Sequence, residues 1–242
     1  MNAPKLFSLS LALTTLCTAA LAQSPSQSGT SQKAKQSPLL ELYTSQACSI
    51  CPKANQQFSD FAQSNDVIAL TFPVGYWDYL GWTDTFAKPE FSDRQKAYNK
   101  AMGRRGPYTP QVIFHGEDHC SATKEKSMER KAVKVARRAA PYSIPIEYDG
   151  ETVRLSQTPA EEVQVWVVEY IPGETFTRPQ GGANKNRDMV YFNRVIDIKE
   201  AQPLADNARF AAHCPTSCVA IVQKPDLGEV LGVADHKQDA DA

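Results

Sequence analysis

LLELYTSQACSICPK, residues 39–53, is the stretch that decides the fold of this chain. An apolar run, Leu39–Thr44, leads into a Cys-x-x-Cys motif formed by Cys48 and Cys51, and Pro52 follows at a position that the first turn of a helix tolerates. Downstream, apolar residues recur at the spacing of one buried helical stripe, at Ala54, Phe58, Phe61 and Ala62. The stretch therefore predicts a strand, a cysteine pair and a helix in direct succession.

The position of the cysteine pair predicts redox chemistry. At the start of a helix, Cys48 faces unpaired backbone N–H groups and the positive end of the helix dipole, and both lower the pKa of the thiol below its free value of about 8.5. Cys51, one turn further in, is more enclosed and suited to resolving a mixed disulfide. A permanent structural disulfide and half of a metal site are the two alternatives for the same pair.

The composition is that of an ordinary soluble globular protein. The chain has 242 residues, of which 42% are hydrophobic and 22% charged, so it can bury a substantial core. A formal net charge of −1 gives no reason to expect a nucleic acid or an anionic membrane surface as partner.

Residues 1–22 are predicted to be a signal peptide. Lys5 is the lone charge, Leu6–Leu16 forms a short apolar core, and residues 20–22 (Ala-Leu-Ala) match an A-x-A cleavage site. Residues 23–37, rich in Ser, Gln and Lys, are predicted to be a disordered spacer. No later apolar run is long enough to cross a bilayer as a helix. We therefore expect a periplasmic or secreted protein of a Gram-negative bacterium, without a transmembrane anchor.

The periodicity of the sequence changes near residue 141 and predicts two regions. Residues 38–140 alternate strands with amphipathic helices, one of them over Asp93–Met102 with a capping box at Ser92 and Gln95. The other predicted elements of this region are Val67–Val74, Gln111–Phe114 and a helix from about Thr123 to Ala139. Residues 141–242 are mainly β, with strand patterns at Ile144–Tyr148, Thr152–Leu155, Val163–Tyr170, Met189–Ile198, Val219–Gln223 and Val230–Ala234. The predicted class is an α/β region followed by a β-rich region.

Two segments outside the motif are candidates for a substrate groove. Thr109-Pro110 immediately precedes a predicted strand; a cis bond there would expose the preceding backbone groups to an incoming peptide, and a trans turn is the alternative. Tyr76 and Trp77 begin an aromatic segment, Tyr76–Trp82, that either forms a wall beside the cysteine pair or plugs the core between the two regions. Two carboxylates are candidates for orienting this segment or shifting a nearby pKa, Asp78 and Asp84.

The remaining cysteines leave their pairing open. Six cysteines less Cys17 in the signal peptide leave an odd count, so at least one thiol is free or metal-bound in an oxidising compartment. A Cys214–Cys218 disulfide closing a short loop is the preferred interpretation. The alternatives are a copper or zinc site made by Cys214, Cys218 and His213, and a bridge from Cys120 to either of these cysteines.

With these residues in view, the chain resembles the thioredoxin-like superfamily and, over nearly its whole mature length, the DUF1223 family of secreted bacterial proteins. The resemblance rests on Glu41–Pro52 (ELYTSQACSICP), Tyr76–Trp82 (YWDYLGW) and Arg104–Phe114 (RRGPYTPQVIF), with a weaker match at Gly181–Ile198 (GGANKNRDMVYFNRVIDI). It implies a thioredoxin-like fold with an aromatic insertion and an appended β-rich region.

The arrangement of strand, Cys-x-x-Cys-Pro and helix, with Thr109-Pro110 further on, predicts an exported thiol–disulfide oxidoreductase that needs no cofactor. Its partners would be a protein or peptide substrate and a redox partner protein. A buried acid on the first strand usually assists proton transfer in such proteins, and Glu41 is the candidate, with a structural salt bridge as the alternative. The competing functions are a periplasmic copper- or zinc-binding protein and a non-catalytic binding module.

Overall fold

A computed structural model of the chain describes residues 37–139, 144–206 and 208–237. The predicted signal peptide and nearly all of the predicted spacer lie outside the described residues. Three α-helices are present in the described part, α1 (Cys51–Ser64), α2 (Pro89–Ala101) and α3 (Glu125–Ala139). The strands are β1 (Leu39–Thr44), β2 (Ile68–Pro73), β3 (Gln111–Phe114), β4 (Asp118–Ser121), β5 (Ile146–Tyr148), β6 (Thr152–Leu155), β7 (Gln164–Thr177), β8 (Met189–Glu200), β9 (Gln202–Pro203), β10 (Arg209–Ala211), β11 (Ser217–Gln223) and β12 (Val230–His236). The expectation of a mixed α/β protein that is rich in β-structure is confirmed.

One eight-stranded sheet runs through both halves of the chain, in the order β12-β11-β7-β8-β2-β1-β3-β4. The join is between β2 and β8, which lie parallel and pair at Thr71 and Arg194. Side chains reinforce the join, because Thr71 Oγ1 donates to the carbonyl of Phe192 at 2.6 Å and Asn193 Nδ2 donates to the carbonyl of Ala69 at 2.9 Å. The sheet is therefore continuous across the composition change near residue 141.

The alternation of β1 decides which helix covers which face of the sheet. Leu40 and Leu42 pack with the apolar stripes of α1 and α3, whereas Leu39 and Tyr43 pack with α2 residues on the opposite face. Successive side chains of a strand point to opposite faces, so Glu41 belongs to the α2 face. The start of α1, which carries the cysteine pair, thus meets the sheet from the other side.

A second sheet, β5-β6-β10-β9, covers the far end of the large one. Val153, Leu155 and Phe210 of this sheet form a cluster with Val165 of β7 and Val222 of β11. This cluster also holds Cys214 and Cys218. The β-rich half therefore has its own apolar core beside the two that flank β1.

Two local predictions are wrong. The second helix begins at Pro89 rather than Asp93, because Pro89 has its ring-fixed φ at the first helical position, where no N–H partner is lost. Ser92 and Gln95 therefore lie buried inside α2 and do not form a capping box; Gln95 Nε2 instead donates to Gln111 Oε1 at 2.7 Å. In the turn after β3, His115 is 1% exposed, and its Nδ1 accepts a hydrogen bond from the backbone N–H of Leu39.

Candidate functional site

Cys48 and Cys51 form a disulfide at the start of α1, with their Cα atoms 5.4 Å apart. The approach to the helix is a tight turn: the N–H of Cys48 bonds to the carbonyl of Ser45, and the N–H of Cys51 bonds to the carbonyl of Cys48. Ile50 occupies the N-cap position without a side-chain cap, and the first turn of α1 contains no acidic residue. The positive end of the helix dipole therefore has no side-chain carboxylate to neutralise it.

The two cysteines differ in their exposure to solvent. Cys48 is 8% exposed and Cys51 is fully buried, while Ser49 and Ile50 between them are exposed. Ile50 is an apolar side chain with 54% of its surface in solvent, at the rim of the pair. A partner that reaches this site meets Cys48 first.

A small apolar cluster encloses the disulfide; it contains Met189 and Tyr191 from β8, Trp77 from the aromatic segment and Phe86 shortly after that segment. The rings of Phe86 and Tyr191 meet edge to face, with centroids 5.5 Å apart. The cluster brings together residues from the first strand–helix turn, the aromatic segment and the C-terminal half. Burial of this kind excludes water from Cys51.

Trp77 connects this cluster to the predicted groove residues. Its indole Nε1 donates to Thr109 Oγ1 at 2.8 Å, and the Thr109-Pro110 bond is cis. Pro110 is buried and Thr109 is half-buried. Tyr76 behaves differently, because it packs against the α2-side core rather than against the disulfide. The four predicted groove residues nevertheless lie close together, because the Tyr76 ring is 5.8 Å from that of Trp77 and its hydroxyl lies near the side chain of Thr109.

The aromatic segment is anchored to the turn before Cys48 through Gln46. Asp84 Oδ2 accepts a hydrogen bond from the backbone N–H of Gln46 at 2.7 Å, and Trp82 Nε1 donates to Gln46 Oε1 at 2.8 Å. Burial raises the pKa of Asp84 to about 6, against the lowering effect of the backbone N–H groups of Gln46 and Phe86. Asp84 is only 3% exposed. The expected orienting role of Asp84 has a clear structural basis in these bonds.

A loop from the C-terminal half, residues 181–187, closes over the same turn. Asn184 is fully buried and its Nδ2 donates to the carbonyls of Gln46 and Cys48, each at 2.8 Å. Arg187 Nη1 donates to the carbonyl of Ser49 at 3.1 Å and to Asn184 Oδ1 at 3.0 Å. Neither Asn184 nor Arg187 was expected at the site from the sequence. The one signal for them was the C-terminal stretch of the family resemblance, GGANKNR.

Glu41 lies apart from the cysteine pair, in the core between β1 and α2. Its carboxylate accepts hydrogen bonds from Arg94 Nε at 2.8 Å, from the Tyr98 hydroxyl at 2.6 Å and from the Tyr43 hydroxyl at 2.8 Å. The ion pair with Arg94 raises the pKa of the guanidinium in spite of its burial. These contacts are those of the structural salt bridge that was the alternative to a proton-transfer role.

A family profile described as "Protein of unknown function (DUF1223)" matches residues 39–227, which include every residue of the site described above. The chain belongs to the DUF1223 family. A search of curated proteins found no match.

Two solved structures share the fold of this DUF1223 chain. A structural-genomics crystal structure from Agrobacterium tumefaciens is 24% identical, with a TM-score of 0.66, and the alignment covers 86% of this chain and 98% of the other. HBP35 of Porphyromonas gingivalis is 13% identical, with a TM-score of 0.55, and the alignment covers 85% of this chain and 76% of the other. At these identities the likeness concerns the fold alone.

The other cysteines of the DUF1223 chain are accounted for away from this site. Cys214 and Cys218 form a second disulfide, with Cα atoms 6.0 Å apart, and Cys120 is a buried free thiol beneath α3. His213 is exposed and its Nδ1 contacts Glu151 Oε1 at 2.7 Å. In the disulfide, neither sulfur of the Cys214–Cys218 pair is a thiolate ligand. Among the described residues, no group of three or more His, Cys, Asp or Glu side chains has the arrangement of a metal site.

A concavity of about 730 Å³ lies on the α2 side of the sheet, lined by Arg94, Ala97, Trp166, Ile198 and Leu227 among others. None of its lining residues belongs to the cluster around the disulfide.

No helix in the described residues is long and apolar enough to span a membrane.

Proposed function

We propose that this protein is a thiol–disulfide oxidoreductase with a thioredoxin-like site, in which Cys48 attacks and Cys51 resolves. The observation that carries the proposal is the asymmetry of the pair at the uncapped start of α1. Cys48 has 8% of its surface in solvent and Cys51 has none. An accessible thiolate at a helix N-terminus, backed by an enclosed partner, is the arrangement that two-step disulfide exchange needs.

The exchange conserves atoms and electrons. With the pair reduced, the Cys48 thiolate attacks one sulfur of a substrate disulfide and expels the other sulfur as a thiolate, which gives a mixed disulfide. The Cys51 thiol loses its proton and attacks the Cys48 sulfur, so that the second substrate thiolate leaves and the Cys48–Cys51 disulfide forms. The substrate gains two electrons, and a thiol reductant must return two electrons to the pair. The same steps in reverse oxidise a dithiol substrate.

The surroundings of Cys48 favour a polypeptide as substrate. Ile50, Tyr79 and Leu80 are exposed apolar side chains, at 54%, 76% and 50% of their surface. Trp77, stacked on Tyr79 with ring centroids 6.2 Å apart, joins the disulfide cluster to Thr109. Exposed apolar side chains of this kind suit an extended peptide with apolar neighbours to its cysteine. Two disulfides in the chain, together with the signal-peptide pattern, support export to an oxidising compartment as part of the same proposal.

The test is exchange with glutathione followed by reduction of insulin, using the chain without residues 1–22. We expect the wild-type protein to equilibrate with glutathione at the Cys48–Cys51 bond and to accelerate insulin reduction by a thiol reductant. Cys48→Ser should abolish both activities, and Cys51→Ser should accumulate a mixed disulfide at Cys48. The Cys214→Ala/Cys218→Ala double variant, which leaves the site intact, should keep both. A Cys48–Cys51 bond that glutathione does not open at any ratio of thiol to disulfide would refute the proposal and favour a permanent staple.

A further inference from the structure

The loop at residues 181–187 places a cation beside the cysteine pair. Arg187 Nη1 bonds to the carbonyl of Ser49, the residue directly after Cys48. Arg187 is exposed, and no carboxylate of the described residues forms an ion pair with it. Its charge is therefore not neutralised by an ion-pair partner among the described residues, and it lies next to the turn that carries Cys48.

Asn184 fixes the direction of two carbonyls in the turn that carries Cys48. It donates to the carbonyls of Gln46 and Cys48 and receives a hydrogen bond from Arg187 on its own oxygen. The carbonyls of Cys48 and Ser49 are thus both engaged by donors of this loop. A carbonyl dipole that is bound in this way repels a nearby thiolate less than a free one.

The loop can occupy this position because two glycines let it pack against Trp82. A Cβ atom on Gly181 would lie 2.5 Å from Trp82 Cε3, and one on Gly182 would lie 2.7 Å from Trp82 Cβ. Gly182 also has a φ of +67°, in the region that favours glycine. Trp82 in turn holds Gln46, two residues before Cys48. The aromatic segment and the glycine loop therefore form one support for the turn.

We propose that Arg187, held by Asn184, is a positioning residue that stabilises the Cys48 thiolate and so makes the Cys48–Cys51 disulfide easier to reduce. This inference rests on the proposed redox function and assigns part of the control of that site to the C-terminal half of the chain. In the oxidised pair neither sulfur is charged, whereas in the reduced pair the Cys48 thiolate carries a negative charge. An interaction made with the thiolate alone shifts the equilibrium toward the reduced form.

The other charged and titratable groups near the pair do not replace Arg187. Lys53, on the first turn of α1, is exposed and has no bond to the Cys48 turn among the described contacts. Asp84 binds the Gln46 N–H from the opposite side and would oppose a thiolate when ionised. Tyr191 on β8 is buried, and burial raises the pKa of its hydroxyl, so it stays neutral. Arg194 of β8 stacks over the Phe86 ring of the disulfide cluster, 4.1 Å from its centroid, and has no bond to the cysteine turn among the described contacts. Arg187 is thus the cation that bonds to Ser49, between the two cysteines.

The experiment compares Arg187→Gln with Lys185→Gln. Lys185 is an exposed cation on the same loop, and its side chain forms no hydrogen bond or ion pair with the cysteine turn among the described contacts. In a Cys51→Ser background, the pH dependence of iodoacetamide alkylation reports the acidity of Cys48 without any exchange reaction. We expect Arg187→Gln to raise the pKa of Cys48 enough to lower the thiolate fraction about 3- to 10-fold below the pKa, and Lys185→Gln to change it less than twofold.

The equilibrium with glutathione is the second measurement, made with both cysteines present. Arg187→Gln should lower the constant for reduction by the same 3- to 10-fold, and Arg187→Lys, which keeps the charge, should recover most of it. Unchanged alkylation and an unchanged constant in folded Arg187→Gln would overturn the inference, as would an equal effect of Lys185→Gln. If the wild-type disulfide does not exchange at all, the redox function fails, while the alkylation profiles still decide the effect of Arg187 on Cys48.

Discussion

Arg94 holds Glu41 through two parallel hydrogen bonds in the core, Nε to Oε2 at 2.8 Å and Nη2 to Oε1 at 3.0 Å. Both side chains are nearly without solvent, at 3% and 1% exposure. The hydroxyls of Tyr43 and Tyr98 complete the shell of the carboxylate. The ion pair therefore fixes α2 to β1, on the face of the sheet opposite to α1.

Breaking this ion pair should lower the unfolding free energy strongly and leave the acidity of Cys48 unchanged. Glu41→Gln leaves the buried guanidinium of Arg94 without its counter-charge and should cost about 3 kcal/mol or more of unfolding free energy. The double variant Glu41→Gln/Arg94→Met removes both charges and should recover part of the loss in urea unfolding. In either variant that still folds, the pKa of Cys48 measured by alkylation should stay within the error of wild type. A raised or lowered Cys48 pKa would instead assign Glu41 a role in proton transfer.

Asp84 and His115 predict opposite dependences of stability on pH. The pKa of Asp84 is raised to about 6 by burial, so its contribution to stability is complete below its unfolded pKa of about 3.9 and is lost as the pH rises through 6. The pKa of His115 is lowered to about 4 by burial, so its contribution is complete above its unfolded pKa of about 6.5 and is lost as the pH falls through 4. Between pH 4 and 6.5 the two effects nearly cancel.

Single substitutions should separate the two groups. Asp84→Asn leaves only His115 of the two groups titrating, so the unfolding free energy should rise with pH over this interval relative to wild type, by about 3 kcal/mol. In His115→Gln the side-chain oxygen can still accept the hydrogen bond from Leu39, and only Asp84 of the two groups titrates. The unfolding free energy of this variant should therefore fall with pH relative to wild type. Guanidinium unfolding at several pH values measures both, and the other titrating groups cancel in the differences. Parallel curves for all three proteins would contradict the assignment.

Trp77 and Thr109 should act on substrate affinity rather than on the acidity of the thiol. Trp77→Phe keeps an aromatic ring but removes the donor to Thr109, and Thr109→Val removes the acceptor. Each should cost about 1 kcal/mol of stability and raise KM for a peptide disulfide several-fold, while the pKa of Cys48 is unchanged. The double variant should be no worse than either single one. Trp166→Phe is the control, since Trp166 lies in a different cluster and its Nε1 has no hydrogen-bond partner in the described structure.

The packing of Gly181 against Trp82 should affect the pKa of Cys48. Gly181→Ala forces a methyl group against Trp82, so we expect a loss of about 1–3 kcal/mol of stability from overpacking. Displacement of the loop should also weaken the contact of Arg187 with Ser49 and raise the pKa of Cys48. Gly106→Ala serves as control, because a Cβ there has no neighbour within 4 Å. Thermal unfolding and alkylation profiles together test it; a stability loss with an unchanged Cys48 profile would disconnect the two.

The second disulfide should be structural. Cys214 and Cys218 close a short loop at the start of β11, and Cys218 is 1% exposed. For so short a loop the chain-entropy estimate is about 2 kcal/mol, so the double alanine variant should lose stability of that order while insulin reduction is retained. Differential alkylation of the purified protein should find Cys120 as the unpaired thiol, reactive only after unfolding, because it is buried. Rapid labelling of native Cys214 would speak against a structural bond.

The sequence predicted the local elements well and the assembly of the site only in part. Leu39–Thr44 and Gln111–Phe114 have the predicted bounds because their apolar runs end at clear turn residues. The start of α2 was misplaced because the pattern of Ser92 and Gln95 imitates a cap that Pro89 makes unnecessary. Contacts such as that between Asn184 and Gln46, 138 residues apart, have no local pattern at all. Long-range polar contacts depend on tertiary packing, and no periodicity in the sequence predicts them.

The insertion of β8 between β7 and β2 has a consequence for the timing of activity. During synthesis the N-terminal cysteines emerge long before residues 181–200, which carry the loop and the strand. Until then the outer edge of β2 has no strand beside it, and the turn at Cys48 lacks Asn184 and Arg187. We expect a growing chain to hold two cysteines of ordinary reactivity, which acquire their tuned chemistry only when the last third of the polypeptide has joined the sheet. Under the redox function proposed above, this order of emergence would keep a reactive thiolate away from incompletely folded segments of the same molecule.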